Sequence, residues 1–275
     1  MKKFVVRCDL EGASGIVSYV QAEPWQAEYQ DGRRYFMSDL LALLKGLDDG
    51  GADVIQVYDE HCYGHNILLD QIPDTYRADI SFFCGKPDYT RSWAGGLDRE
   101  TTGLILLGFH SKAGTHVSER EALLHHSYDK NISDIQINGH SVGEIGMEAA
   151  IAGCFQVPLL LFTGDSAGAE EAQSIAPGCL CVCVKESCDG TGGECLSVPK
   201  VHRRIYQAAR QLAESPPVVA PFVFPAPVEL KMSFYPTEYG GKFQTLFPGL
   251  TLHGASVLEC WAEYLARKAS LDAIL

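Results

Sequence analysis

The first two-thirds of this 275-residue chain alternates short apolar runs with longer amphipathic stretches, and this alternation constrains its fold more than any other feature. It is typical of strands and helices layered in an α/β fold. The segment 103–108 is an apolar run short enough for a buried strand, whereas 32–47 has apolar residues at helical spacing and ends at turn-forming residues. The predicted strands are 4–8, 54–58, 80–84, 103–108, 135–138, 158–162 and 179–184, and the predicted helices of this part are 32–47 and 142–155.

A change in composition after Cys188 marks a candidate domain boundary. Gly-rich sequence is followed there by a predicted helix at 198–213 and by five prolines between positions 216 and 227. A predicted strand at 228–234 and a predicted closing helix at 256–271 follow. We therefore expect a layered α/β main domain over 1–190 and a smaller C-terminal α+β lobe over 191–275, which contributes to assembly or to a substrate pocket.

The charge of the chain argues against two classes of partner. Its 35 acidic and 22 basic residues give a formal net charge of −13, which repels phosphate backbones and anionic lipid surfaces. The N-terminal apolar run stops at Asp9, too early for a signal peptide, and no stretch approaches the length that spans a bilayer. We expect neither a nucleic acid nor a membrane as partner.

The ten cysteines lie mostly in apolar contexts without paired spacing, which predicts reduced, mainly buried thiols in a cytoplasmic protein. Cys179, Cys181 and Cys183 share one face of a predicted strand. A metal or redox role is open for these three thiols, although core packing explains them better. A disulfide between Cys188 and Cys195 is a further alternative.

Two carboxylates follow the first predicted strand. Successive side chains of an extended backbone point to opposite faces, so Asp9 and Glu11 project to the same side, with their Cα atoms about 6–7 Å apart. Two anions placed in this way repel each other unless a positive charge lies between them. A metal ion is the simplest such charge.

Other functional groups follow the neighbouring strands, namely Asp59-Glu60-His61 after the second strand and His110 after the strand at 103–108. The carboxyl ends of strands in an open α/β sheet form the edge where ligands bind. With Glu144, at the start of a predicted helix, the chain offers enough carboxylates and imidazoles for two divalent ions that share one carboxylate. This mixed N/O set suits zinc, or alternatively manganese or cobalt. Each group alone could also be a helix cap, a turn former or a structural histidine, so the spacing leaves both readings open.

Five motifs in a fixed order resemble those of the D-aminopeptidases of the DppA type, peptidase family M55, over nearly the whole chain. The motifs are Asp9-Leu10-Glu11-Gly12-Ala13-Ser14-Gly15, Asp59-Glu60-His61, Gly108-Phe109-His110, His126-Ser127 and Val142-Gly143-Glu144-Ile145-Gly146.

This resemblance implies a zinc-dependent aminopeptidase that acts on short peptides with N-terminal D-residues and holds two zinc ions per subunit. By similarity, Asp9 bridges the ions, Glu11 and His61 complete one site, and His110 and Glu144 complete the other. His126 matches the catalytic histidine of the family. The resemblance also implies a homo-oligomer, a ring-shaped decamer whose sites face an enclosed channel.

Some residues extend the family pattern. The segment between His110 and His126 is longer than in the family and places His125 beside His126, which leaves both as candidates for the catalytic histidine. Candidates for second-shell or pocket positions are Asp59, Glu60, Cys62, His65, Asp165 and Lys185. Glu60 and His65 could equally be solvated loop residues.

Two other functions remain open from the sequence. One is a different dinuclear metal-dependent amidohydrolase, and the other is a non-catalytic peptide-binding protein that keeps the metal as a structural element. A carboxylate-rich ligand set leaves positions open for water, which favours an enzyme. A dinucleotide-binding protein is disfavoured because Gly12-Ala13-Ser14-Gly15 lacks the G-x-G-x-x-G spacing.

Overall fold

A computed structural model of the protein describes residues 1–272 and shows a mixed α/β fold built on two sheets. The helices and strands are β1 (Lys3–Cys8), α1 (Tyr19–Ala22), α2 (Tyr29–Asp49), β2 (Val54–Asp59), β3 (Asp79–Phe83), β4 (Thr101–Phe109), β5 (His116–Val117), β6 (Arg120–Glu121), β7 (Ile132–Ile137), β8 (His140–Val142), α3 (Glu144–Gly153), β9 (Leu159–Asp165), α4 (Ser166–Ile175), β10 (Leu180–Asp189), β11 (Gly192–Cys195), α5 (Val198–Glu214), β12 (Val228–Phe234), α6 (Glu238–Leu246), β13 (Thr251–Gly254) and α7 (Val257–Asp272), with a short 3₁₀ turn at Leu69–Gln71.

The larger sheet has seven strands in the order β11-β10-β9-β4-β1-β2-β3. Its strands run parallel except for β11, which pairs antiparallel with β10. All six residues of β1 are buried, as expected for the central strand of a parallel sheet covered on both faces. In the register of β1, Cys8 lies opposite both Asp59 and Leu107. The residues that follow β1, β2 and β4 therefore emerge at the same edge of the sheet.

Helices α2 and α5 pack closely beside each other. Small residues of α2 permit this approach, since a Cβ atom at Gly46 would lie 2.5 Å from the carbonyl oxygen of Tyr206. Helix α3 contacts β4, and helix α4 contacts β9 and β10. These helices bury the central strands from solvent.

The smaller sheet has four strands in the order β13-β12-β7-β8 and is antiparallel, with Leu230 of β12 opposite Ile137 of β7. Helix α7 packs against β12 and β13. The boundary predicted at residue 190 lies within the hairpin of β10 and β11, and β7 and β8 come from the chain before it. The two sheets therefore do not follow the predicted division into 1–190 and 191–275, because β7 and β12 pair over a long separation that local composition does not reveal.

The predicted elements are present with shifted ends. The predicted helix at 142–155 is shorter, because Val142 ends β8 and Gly143 has an extended backbone with φ −103° and ψ −157°. Helix α4 was not predicted, since Ile175 is the one large apolar side chain in its run of small and polar residues. No helix within residues 1–272 is long and apolar enough to cross a membrane.

All ten cysteines lie within the described residues and are free thiols, so no disulfide joins Cys188 to Cys195. Three of them, Cys8, Cys179 and Cys260, are buried. The prediction of mainly buried thiols was too broad, since Cys84 and the two thiols of the hairpin are exposed.

Candidate metal centre and active site

A cavity of about 810 Å³ opens at the edge where β1, β2 and β4 end. Its walls combine carboxylates and imidazoles with aromatic side chains. Among its lining residues are Asp9, Glu11, Glu60, His61, His126, Tyr128, Glu144 and Trp261.

The first group of candidate ligands is Asp9, Glu11 and His61, all of them buried. The backbone of Asp9 is held to β4 by a hydrogen bond from its N–H to the carbonyl oxygen of Leu107, at 2.9 Å. The Nε2 atom of His61 lies 3.3 Å from Oε2 of Glu11. One atom from each of the three residues falls within a group no more than 4.8 Å across.

The second group is His110, His126 and Glu144. Nε2 of His110 lies 3.4 Å from Oδ2 of Asp9 and 3.4 Å from Oε1 of Glu144. Nε2 of His126 lies 3.7 Å from the same oxygen of Glu144, and its ring stacks on that of His110 with centroids 4.2 Å apart. Asp9 therefore stands between the two groups, so the structure brings the five predicted ligands and His126 into one continuous cluster.

Three observations show that this cluster fits divalent metal ions. Oδ2 of Asp9, Oε2 of Glu11 and Nε2 of His110 are buried and have no hydrogen-bond partner. Such unpaired buried atoms are costly unless something binds them. The separations of 3.3–3.4 Å match the spacing of about 3.3–3.5 Å between two ligands that each lie about 2.0–2.2 Å from a tetrahedral zinc ion.

The third observation concerns the opposite ring nitrogens. Nδ1 of His110 lies 2.9 Å from the carbonyl oxygen of Ser111, and Nδ1 of His126 lies 3.0 Å from that of Leu124. Nδ1 of His61 lies 3.3 Å from Oδ1 of Asn66. When Nδ1 donates to an oxygen, Nε2 carries the lone pair, so all three imidazoles present Nε2 to the cluster as metal-binding histidines do.

The carboxylates and imidazoles of the cluster shift one another's pKa values. Burial raises the pKa of Asp9 well above its usual range, and the carboxylates of Glu11 and Glu144 raise it further. Although burial opposes both shifts, the Glu144 carboxylate raises the pKa of His110 to about 10, and His110 lowers the pKa of Glu144 to about 2. Burial also opposes ionisation of Glu11, yet the imidazole of His61 lowers its pKa well below the usual range. Buried carboxylates of this kind hold protons on their histidine neighbours, and a divalent cation can take the place of those protons.

Residues 1–267 match the family model of the M55 D-aminopeptidases. The chain belongs to this family. A D-aminopeptidase of Bacillus subtilis (strain 168) is 26% identical over 251 residues, which are 90% of this chain and 86% of the relative. The solved structure of the Zn-dependent D-aminopeptidase DppA from Bacillus subtilis, described as a self-compartmentalizing protease, superposes with a TM-score of 0.84 at 23% identity and covers 97% of each chain. The predicted family, the α/β fold and the enzyme class of a D-aminopeptidase-type hydrolase are confirmed.

The two histidines left open by the M55 motif have different surroundings. His126 lines the cavity and meets the ring edge of Tyr19, with centroids 5.8 Å apart. Burial lowers the pKa of His126, and the neighbouring His110 lowers it further. His125 points away, since its Nδ1 accepts from the backbone N–H of Gly114 at 3.0 Å and its Nε2 lies 3.6 Å from Glu121. Only His126 of the pair lies in the ligand cluster.

Asp59 does not line the cavity but organises the loop that carries His61. Its carboxylate accepts hydrogen bonds from the backbone N–H of Asn66, at 2.6 Å, from that of Ile67, at 3.1 Å, and from the Asn66 side-chain amide, at 2.6 Å. Because Oδ1 of Asn66 faces His61, Asp59 orients this imidazole through Asn66. His65 lines the cavity as an exposed residue.

Lys185 and Asp165 lie outside the cavity walls. Lys185 is 1% exposed and donates from Nζ to the carbonyl oxygens of Glu11, Ala13 and Ile16, so it holds the loop that carries Glu11. Asp165 caps the N-terminus of α4 through the N–H of Gly168, at 2.7 Å. Both had been predicted as pocket residues, and their polar groups instead support the backbone.

Three partners of the site were not predicted. Tyr128 donates its backbone N–H to Oε1 of Glu144 at 2.6 Å, Asn66 orients His61, and Glu148 lies one helical turn beyond Glu144. Glu148 had a sequence signal, because residues four apart on a helix share a face. The contacts of Asn66 and Tyr128 depend on loops whose path no local pattern predicts.

Proposed function

We propose that the protein is a zinc-dependent aminopeptidase that removes N-terminal D-residues from short peptides with two zinc ions per subunit. In this proposal Asp9 bridges the ions, Glu11 and His61 bind one, and His110 and Glu144 bind the other. The observation that carries it is the position of Asp9 between the two ligand groups, in a chain of the D-aminopeptidase family.

Bound zinc would supply a Lewis acid for the substrate carbonyl and would lower the pKa of water toward neutrality. The protein itself supplies positioning and proton transfer. His126 holds its Nδ1–H on the carbonyl oxygen of Leu124, which leaves Nε2 free to take a proton from the attacking water and to return it to the leaving amine. Its lowered pKa favours the neutral imidazole that this role requires. The N–H of Tyr128 fixes the carboxylate of Glu144 beside it.

The C-terminal segment supports a substrate pocket. Helix α7 brings Trp261, Tyr264 and Leu265 to the cavity wall. We propose that 191–275 forms part of the pocket, while the ligands come from 1–190. A cavity that combines apolar side chains with a polar cluster suits a short peptide, whose side chains need apolar contact while its amide needs polar groups.

We further propose a cytoplasmic homo-oligomer, a ring decamer with its sites facing an enclosed channel. The relative DppA is described as a self-compartmentalizing protease, and its fold matches this chain almost from end to end. Light scattering of the purified protein tests the assembly. A mass of about 10 × 30.0 kDa supports a decamer, and a monomer contradicts it.

The activity is tested with a panel of D-Ala-D-Ala, D-Ala-amide and the matching L-compounds. We expect efficient cleavage of the D-compounds only, after the protein is supplied with zinc. Cleavage of non-peptide amides without cleavage of the D-compounds would favour a different metal-dependent amidohydrolase. Zinc binding without hydrolysis of any compound would favour a peptide-binding protein.

A further inference from the structure

A second acidic group lies in the cavity beside the metal-ligand cluster. Glu60 lines the cavity and is 5% exposed, and its Oε2 atom is buried without a hydrogen-bond partner. Its carboxyl group also lies within hydrogen-bonding reach of Glu148. The proposed metal sites use neither residue, so the unpaired oxygen of Glu60 has no assigned partner.

The hydrogen-bond donors around Glu60 and Glu148 bind Glu148, and none of them binds the unpaired Oε2 atom of Glu60. Glu148 accepts from Nε of Arg7 at 3.1 Å, from the hydroxyl of Tyr89 at 3.0 Å and from the hydroxyl of Tyr128 at 2.8 Å. The remaining guanidinium nitrogens of Arg7 donate to the carbonyl oxygens of Ala94 and Gly95. The buried guanidinium of Arg7 therefore faces both acidic side chains, and Lys86 of the cavity wall adds a second positive charge near Glu60. Neither cation donates a hydrogen bond to Oε2 of Glu60, which stays open to a cation that enters the cavity.

The distance between the metal-ligand cluster and the pair formed by Glu60 and Glu148 determines which kind of cation the pair can bind. Glu144 of the ligand cluster and Glu148 lie one turn apart on α3, where such pairs have Cβ atoms about 5–6 Å apart. Tyr128 joins them directly, with its N–H on Glu144 and its hydroxyl on Glu148. The second group is therefore close enough to hold a substrate group that lies next to the reacting carbonyl.

The α-ammonium group of a peptide meets this requirement. Its nitrogen lies about 2.5 Å from the carbonyl carbon of the same residue, and a charged hydrogen bond adds about 2.8 Å. An ε-ammonium lies up to about 7 Å from its own carbonyl carbon, so a lysine side chain would have to fold back, at a cost in side-chain entropy, to reach a carboxylate one helical turn away. The spacing thus favours the free amino terminus over a basic side chain.

We propose that Glu60, supported by Glu148, binds the α-ammonium group of the substrate and so restricts the enzyme to peptides with a free amino terminus. The proposal deepens the proposed aminopeptidase function and rests on it for the position of the carbonyl. The aromatic rings of Tyr89 and Tyr128 border the pair and exclude water from it, which strengthens the attraction.

Binding of two matched ligands tests the proposal without turnover. D-alanine hydroxamate and propionohydroxamate share the metal-binding group and differ by the ammonium group. Isothermal titration calorimetry of the zinc-supplied protein should show that D-alanine hydroxamate binds about 10- to 100-fold more tightly, as expected for a charged hydrogen bond in a buried site. Glu60→Gln keeps the shape of the side chain and should remove most of this preference while leaving the affinity for propionohydroxamate nearly unchanged. Asp88→Asn, which removes an exposed carboxylate from the same cavity, is the control and should keep the preference.

Two results would overturn the proposal. One is a wild-type protein with no preference for the amino compound, which decides the question even if the variant fails to fold. The other is a preference that survives Glu60→Gln. Failure of the aminopeptidase function has a different signature, namely an ammonium preference that depends on Glu60 in a protein that cleaves no D-peptide.

Discussion

Lys185→Met should destabilise the protein strongly and disturb one metal site. The ammonium group of Lys185 donates to three carbonyl oxygens of the loop that carries Glu11, all within 3.0 Å. Leaving one buried acceptor unpaired costs about 1–3 kcal/mol, so three would cost at most about 3–9 kcal/mol.

Removal of the buried charge offsets part of this cost, because burial lowers the pKa of Lys185 to about 8. This lowering of the pKa corresponds to a cost of about 3 kcal/mol for burying the ammonium group, and the variant is free of this cost. We therefore expect a net loss of about 3 kcal/mol, and at most about 6 kcal/mol, in the free energy of unfolding. The loop would also hold Glu11 less firmly, and the protein would therefore bind one zinc ion with lower affinity.

Urea unfolding and zinc titration of the variant measure the two effects. Lys45→Met is the control, because Lys45 forms an exposed pair with Asp49 and its loss should leave the stability nearly unchanged. A Lys185→Met protein that loses less than about 1 kcal/mol and binds zinc as the wild type does would refute this account of the loop.

Four further substitutions test other parts of the protein. His126→Ala should abolish turnover while zinc content stays intact, and His125→Ala should keep most of the activity; the reverse result would transfer the catalytic role to His125. Asn66→Ala frees Nδ1 of His61 and should weaken zinc binding about 10- to 100-fold in a titration with a competing chelator, and an unchanged affinity would argue against orientation by Asn66. Burial raises the pKa of Asp39 to about 6, so its contribution to stability is present below about pH 4 and is lost, by about 3 kcal/mol, as the pH rises through 6. Asp39→Asn should flatten this part of the pH dependence of the free energy of unfolding, and an unchanged slope would contradict the assignment.

The candidate ligands could be found from the sequence because of where parallel strands end. Asp9 and His110 each follow a strand directly, and His61 is the second residue after β2. The register of β1 with β2 and β4 brings these strand ends together. The order of the strands in the sheet is enough to predict that these three residues lie close together. Glu144 was predicted from its place at the start of a helix, and the family motif then supplied His126, whose position depends on a loop.

The rest of the site depends on pairings between distant segments. Arg7 of β1 meets Glu148 of α3 across 141 positions of the chain, and neither residue has a neighbour in sequence that suggests the other. The second sheet has the same origin in part, since β7 pairs with the distant strand β12, whereas β7 and β8 form a local hairpin. Composition located a change near residue 190, but composition is local, whereas these contacts are set by packing.

Metal analysis tests the central claim most directly. We expect about two zinc ions per chain in the purified, zinc-supplied protein, with both lost in Asp9→Asn and chiefly one lost in Glu11→Gln, because Asp9 lies between the two ligand groups and the Glu11 carboxylate pairs with His61 of the first group. Inductively coupled plasma mass spectrometry of the three proteins gives these counts. A single ion that persists in Asp9→Asn, or a metal-free protein that still cleaves D-peptides, would contradict the dinuclear account.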